Sequence, residues 1–147
     1  MAWQRELAGG FVVSDDRGRL DLELVYRYLC GQAYWAIGRD QRVVERSVEH
    51  SLCLGLYAPD GAQVGFARAI TDRAVRAHLV DVFVLPAFRR RGLGRALVGA
   101  MLGHPELAEV ESWTLSTRDA HGLYGGFGFV VQPEPEKQMI RRRGWND

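Results

Sequence analysis

One stretch constrains this chain more than any other. Val80-Asp81-Val82-Phe83-Val84-Leu85 is a nearly unbroken apolar strand, Pro86 stops it, and Arg89-Arg90-Arg91-Gly92-Leu93-Gly94 follows. Proline has no N–H to give to a ladder, so the strand ends there. Leu93, Ala96, Leu97, Ala100 and Met101 then recur at i, i+3, i+4, i+7 and i+8, which is one face of a helix. Strand, basic loop and helix must therefore follow one another directly. A helix start leaves its first amides unpaired and carries about half a positive charge. Gly92 and Gly94 lack a Cβ, so an anion can approach the backbone closely. With Arg89, Arg90, Arg91 and Arg95 around it, the segment reads as a diphosphate cradle. Taken alone, such a loop is equally a tight turn among solvated arginines. The strand before it and the striped helix after it favour the cradle.

The rest of the chain supplies a sheet for that unit. Phe11-Val12-Val13 reads as a short strand. Leu22, Val25, Tyr26 and Leu29 predict a helix that Gly31 stops, and a second helix is expected over about 40–51. Leu52 to Tyr57 and Gln63 to Ile70 flank Pro59-Asp60-Gly61, a hairpin signal, and Val75 to Leu85 is expected to pair antiparallel with the second of them. The helix from Leu93 ends at His104-Pro105. It crosses over to a strand at Ser112 to Ser116, which is expected to lie parallel to the strand before Pro86. Thr117 or Asp119 is placed to cap a short helix through Tyr124. Phe129-Val130-Val131 and Gln138-Met139-Ile140 read as two last strands. The expected fold is mixed α/β, with a largely antiparallel sheet, one parallel pair and about four helices. The length of 147 residues suits a single domain over 1–147.

Composition removes several function classes. A net charge of +1 argues against a nucleic-acid binder, and the three arginines at 141–143 read as a solvated tail. Lys137 is the only lysine, so neither a Walker loop nor a Schiff-base lysine is available in a plausible site. A dinucleotide fingerprint needs a third glycine where Leu97 stands. The four histidines and two cysteines show no ligand spacing, so no metal is expected. No apolar run is long enough to span a membrane, and no leader is evident, so a cytoplasmic setting is expected.

At this point a resemblance enters. Arg89-x-x-Gly92-x-Gly94, behind a strand containing Val82-Phe83-Val84, resembles the acetyl-CoA motif of the GNAT N-acetyltransferase superfamily. The stretch from Thr117 to Phe129, with Ala120, then Tyr124 four residues on, then Gly-Phe, resembles that family's second signature. The likeness covers roughly Val64 to Phe129. It implies an enzyme that moves the acetyl group of acetyl-CoA to a primary amine, here expected on a small molecule, by direct attack without a covalent enzyme intermediate. The amides from about Arg90 to Arg95, Leu93 among them, would hold the pyrophosphate. The backbone of Val82 and Val84, on either side of Phe83, would take the pantetheine arm as an added strand.

The same resemblance implies Tyr124 as the acid that protonates the leaving thiolate, against the plainer reading of a core aromatic. It implies Asp81 as general base. The residues themselves leave a second reading open: a carboxylate in an apolar strand must be paired, and Arg68 is the near candidate. Tyr34 and Trp35, between the first two helices, are expected to line the acceptor pocket or simply to pack. Arg68, Asp72 and Arg118 are further acceptor candidates. Family relatives commonly pair, so a homodimer is an expectation. The rival from another class is an acetyl-CoA-binding sensor or scaffold without catalysis.

Overall fold

The computed structural model describes residues 2–145. The chain divides into two compact units, residues 1–116 and 117–147. The first holds a six-stranded sheet in sequence order. Its strands are β1 (Gln4–Glu6), β2 (Val12–Ser14), β3 (Leu52–Tyr57), β4 (Gln63–Thr71), β5 (Arg76–Val84) and β6 (Ser112–Leu115). All neighbours are antiparallel except β5 and β6, which run parallel. The helices of this unit are α1 (Leu22–Gly31), α2 (Gln41–Glu49) and α3 (Leu93–Leu102).

Local chemistry sets these boundaries. Asp21 caps α1 by accepting from the Leu24 amide at 3.0 Å, and Asp40 caps α2 by accepting from Arg42 at 2.8 Å. At the other end of α2, the Arg17 guanidinium donates to the carbonyls of Val48 and Ser51. The β3–β4 hairpin turns at Asp60-Gly61, where Gly61 takes φ +91°. The β4–β5 turn is built by Asp72, whose Oδ1 accepts from the amides of Ala74, Val75 and Arg76.

The sheet is covered on both faces, which is why β3 is buried along its whole length. On one face α1 and α2 bury Val25, Tyr28, Leu29, Val44 and Val48 against Cys53, Phe66 and Phe83. Tyr28 stacks on Phe83 with ring centroids 3.9 Å apart. On the other face α3 packs on β3, β4 and β5, burying Leu93, Leu97, Val98, Ala100 and Met101. Behind the C-terminus of α3, the buried His104 ties three segments together. Its Nε2 faces Asp15 Oδ2 at 2.8 Å, and its Nδ1 accepts from the Glu106 amide at 3.1 Å. Those two bonds select the neutral Nε2–H tautomer. Asp15 also receives the Trp3 amide at 2.7 Å, which anchors the segment leading into β1. Asp15, His104 and Glu106 thus group their ligand-type atoms within 4.8 Å of one another. Both histidine nitrogens there are already committed to protein partners.

The second unit carries α4 (His121–Gly125). The Thr117 hydroxyl accepts from the Ala120 amide at 3.0 Å just ahead of it. Two expected strands do not form. Residues 129–131 and 138–140 are irregular, and Val130, Val131, Met139 and Ile140 are 77%, 78%, 97% and 64% exposed. Between them stand Pro133 and Pro135, neither able to donate to a ladder, and Pro135–Lys137 closes a tight turn instead. The strand β1 was not expected. It is three residues long, too short for alternation to register. No helix among the described residues is long and apolar enough to cross a membrane.

Candidate functional site

The site begins with a miscount between two strands. Phe66 pairs with Phe83, but Arg68 pairs with Val80, so Ala67 stands opposite both Asp81 and Val82. This is a β-bulge in β5. Asp81 is its special residue, with φ +54° in the left-handed region, a conformation that costs a non-glycine about 1–2 kcal/mol. Side-chain bonds hold it there. Arg68 Nε donates to Asp81 Oδ2 at 2.9 Å, Trp35 Nε1 donates to Oδ1 at 2.7 Å, and Arg39 Nη1 reaches both oxygens at 3.3–3.4 Å. Arg68 is itself fixed by a bond from Nη1 to Ser51 Oγ at 3.0 Å.

Asp81 is therefore ion-paired with Arg68, as the second reading of the sequence had it. Its carboxylate accepts from two guanidiniums and an indole. Trp35 is a strut whose indole N–H is spent on Asp81, with Tyr34 edge-on to it at 5.1 Å. Asp72 lies elsewhere: it shapes its exposed turn, and amides of that turn, Val75 foremost, hold its carboxyl below the usual range. Cys53 is on the Asp81 face of the sheet, but burial pushes its thiol up to about 11, so it stays protonated at neutral pH.

Beyond the bulge, β5 loses its partner on one side. The β5–β6 ladder runs from Arg76↔Ser112 to Leu79↔Leu115 and stops. The β4 side continues, since Leu85 N donates to Val64 O at 2.8 Å. Backbone polar groups alternate sides along a strand. Those of Phe83 and Leu85 therefore face β4, and those of Val82 and Val84 face the edge that β6 has left. The Val84 carbonyl is taken by Arg89 Nε at 2.9 Å. The Val84 amide and the Val82 groups point to the opening, where an extended amide-bearing chain could add as a strand.

The opening leads to the basic loop. Arg90 has φ +64° and Gly92 φ +76°, so two left-handed residues stand one apart in the loop. Turns that bring successive amides to one side attract anions. Helix α3 begins on Gly92 with no side-chain cap, and its first internal bond is Ala96 N to Gly92 O at 3.1 Å. The amides of Leu93, Gly94 and Arg95 have no acceptor within the helix. A Cβ built on Gly92 would meet nothing within 4 Å, and one on Gly94 only Val84 Cγ2 at 3.9 Å. The space above both glycines is open, as a diphosphate would need.

The arginines divide in role. Arg89 is a latch: besides Val84 O, it reaches the Tyr28 hydroxyl at 2.7 Å and so ties the end of β5 to α1. Arg91 lies over the Phe88 ring at 5.4 Å, and Arg90, Arg91 and Arg95 are exposed beside the cradle. In the second unit, α4 presents Tyr124, whose ring meets Phe129 edge-on at 5.9 Å. Its carbonyl accepts from the amides of Phe127 and Phe129, so the Gly-Phe stretch folds back on it. Arg118 is exposed ahead of α4. What sequence reasoning missed is Arg39. No period or motif marks it, and only the fold brings it to Asp81.

Two outcomes follow from this geometry. Asp81→Asn leaves Arg68 buried without its counter-charge, so the unfolding free energy measured in urea should fall by about 3 kcal/mol. Gly92→Val forces a β-branched residue to φ > 0 and fills the cradle. Calorimetric affinity for coenzyme A should drop by about tenfold or more, whereas Arg91→Ala should lower it by about threefold.

Comparison with known proteins agrees with this arrangement. The acetyltransferase (GNAT) domain profile matches residues 49–131. A crystal structure from Xanthomonas campestris pv. campestris, assigned to the GNAT family, superposes with a TM-score of 0.86 at 43% identity, covering 90% of this chain and 92% of that one. An uncharacterized N-acetyltransferase of Porphyra purpurea is 29% identical over 117 residues, 76% of this chain and 67% of its own length. The ribosomal-protein-S18-alanine N-acetyltransferase of Escherichia coli shares the fold at a TM-score of 0.62 and 23% identity, over 87% of this chain and 77% of that one. Bulge, parted strands and amide cradle stand in the matched region, and the chain belongs to the GNAT acetyltransferase family.

Proposed function

We propose that this chain is an acetyl-CoA-dependent N-acetyltransferase acting on a primary amine of a small molecule. The observation that carries the proposal is the continuity of two features: the free edge of β5 at Val82 and Val84, and the uncapped start of α3. The two follow one another directly in the chain, as one elongated ligand, an amide-rich arm ending in a diphosphate, would need. Coenzyme A has that form. In this reading the pyrophosphate rests on the amides from Arg90 to Arg95. The pantetheine arm lies along β5, and the acetyl carbonyl reaches the bulge, where a backbone amide stabilises the developing oxyanion.

The amine must arrive neutral to attack the thioester. Asp81, held by Arg68 and Trp35, serves to fix the bulge and is not the proton acceptor. The amine's proton leaves to water. Holding both substrates together supplies much of the rate gain. Tyr124, assigned by its place in the second signature, protonates the departing thiolate. A phenol near pKa 10 can give a hydrogen bond to a developing thiolate of pKa near 8.5 without any shift of its own.

The test is acetyl-CoA turnover against a panel of small primary amines, followed by release of free thiol. Amine-dependent release at least about a hundredfold above hydrolysis is expected. Tight acetyl-CoA binding with no amine-dependent release would instead support the sensor reading. Tyr124→Phe should lower kcat by about ten- to a hundredfold while acetyl-CoA affinity changes little. Unchanged turnover would remove the acid role.

A further inference from the structure

The bulge is electrostatically lopsided, and that bears on what the acceptor must be. One carboxylate, Asp81, contacts two guanidiniums. Arg68 has first claim: its contact is 2.9 Å, its side chain is 8% exposed, and its Nη1 is spent on Ser51. Arg39 has the weaker share. It reaches Asp81 through a single nitrogen at 3.3–3.4 Å, and its side chain is 25% exposed. One negative charge cannot neutralise two positive ones, so the trio keeps a net charge of +1.

The surroundings add to the excess. Arg17 sits against the Val48 and Ser51 carbonyls, one of them on the residue whose hydroxyl holds Arg68. On this same sheet face, Arg17 and Arg68 act on Cys53 as cations and Asp81 as the anion, while Arg73 is paired with Glu106 at 3.6 Å. The carboxylates next in sequence to Arg39 and Arg73 are turned to backbone amides. Asp40, next to Arg39, accepts from the Arg42 amide, and Asp72 accepts from the amides of its own turn.

An incompletely paired guanidinium at a partly desolvated site favours an oxyanion and repels a second ammonium. Its placement is also rigid. The connector that carries Arg39 is bolted to the bulge by Trp35, and the Arg39 carbonyl accepts from the Cys30 thiol at 2.6 Å. Arg39 therefore keeps a fixed position relative to the bulge, where the acetyl carbonyl lies in the reading above.

We propose that the acceptor is a small primary amine bearing an oxyanion, carboxylate or phosphate, and that Arg39 binds that oxyanion. The inference rests on the acetyltransferase reading and specifies its substrate class.

The test uses the intact chain with saturating acetyl-CoA and four short amines: β-alanine, phosphoethanolamine, ethanolamine and putrescine. The kcat/KM for β-alanine or phosphoethanolamine should exceed that for ethanolamine by about tenfold or more, with putrescine poorest. Which of the first two leads separates carboxylate from phosphate. Arg39→Gln should shrink the preference to under about threefold, mainly through acceptor KM, and Arg39→Lys should restore part of it. Restoration by lysine distinguishes loss of charge from loss of fold. Turnover in which ethanolamine or putrescine equals the oxyanion amines overturns this inference and leaves the acetyltransferase reading standing. Turnover of none of the four, with acetyl-CoA bound, also overturns it. Absence of acetyl-CoA binding by calorimetry overturns both.

Discussion

Asp81 and Arg68 meet at 2.9 Å on adjacent strands, inside a sheet that is covered on both faces. Neither charge could stay there unpaired, because desolvating a lone ion is far costlier than desolvating a bonded pair. The pair therefore fixes more than itself. It holds Asp81 at φ +54°, in a conformation the chain would otherwise leave, and so keeps one extra residue in β5. The ladder with β6 ends two residues before that point, at Leu79. Past the bulge, β5 runs on with β4 alone. Helix α3 starts where that edge ends. The same carboxylate anchors Trp35 and thereby the connector between α1 and α2. One ion pair thus coordinates a strand edge and the loop between α1 and α2.

Arginine suits the several tasks it performs here. Arg17 closes the last carbonyls of α2, Arg68 answers a buried carboxylate while holding a serine, and Arg89 spans a strand carbonyl and a tyrosine hydroxyl. Each of these pairs one guanidinium with two different partners in a fixed geometry, which a single ammonium on a flexible stem does less well. The exposed arginines at 90, 91 and 95 are a separate group. They add a positive field around the start of α3.

The framework of the sheet was readable because its signals are periodic. The stripe from Leu93 to Met101, the hairpin at Asp60-Gly61 and the Pro86 stop each have one plain physical meaning, and the structure places α3, β3, β4 and β5 accordingly. Where the pattern was short, the reading failed in both directions. Gln4–Glu6 is too brief to alternate visibly yet forms β1 because Trp3 and Asp15 secure it. Residues 129–131 are apolar enough to suggest a strand, but apolar character alone does not supply a partner edge.

The site was legible in its composition and opaque in its geometry. The glycines and arginines of the cradle announce themselves by spacing. The bulge does not, since no glycine or proline marks it, and a carboxylate in an apolar strand reads the same whether it is a base or an ion-paired strut. Only the register of β4 against β5 shows which guanidinium it meets. Arg39 stayed hidden for the same reason: it is brought to Asp81 by the path of the connector, which no local pattern encodes.

The central claim is that an open β5 edge and the α3 cradle together take one elongated ligand. Amide hydrogen exchange with and without coenzyme A measures this directly. The account predicts new protection at Val82 and Val84 and across residues 90–95, with the β4-facing amides of Phe83 and Leu85 little changed. Protection confined to other segments, or protection of the cradle with none along β5, would contradict it.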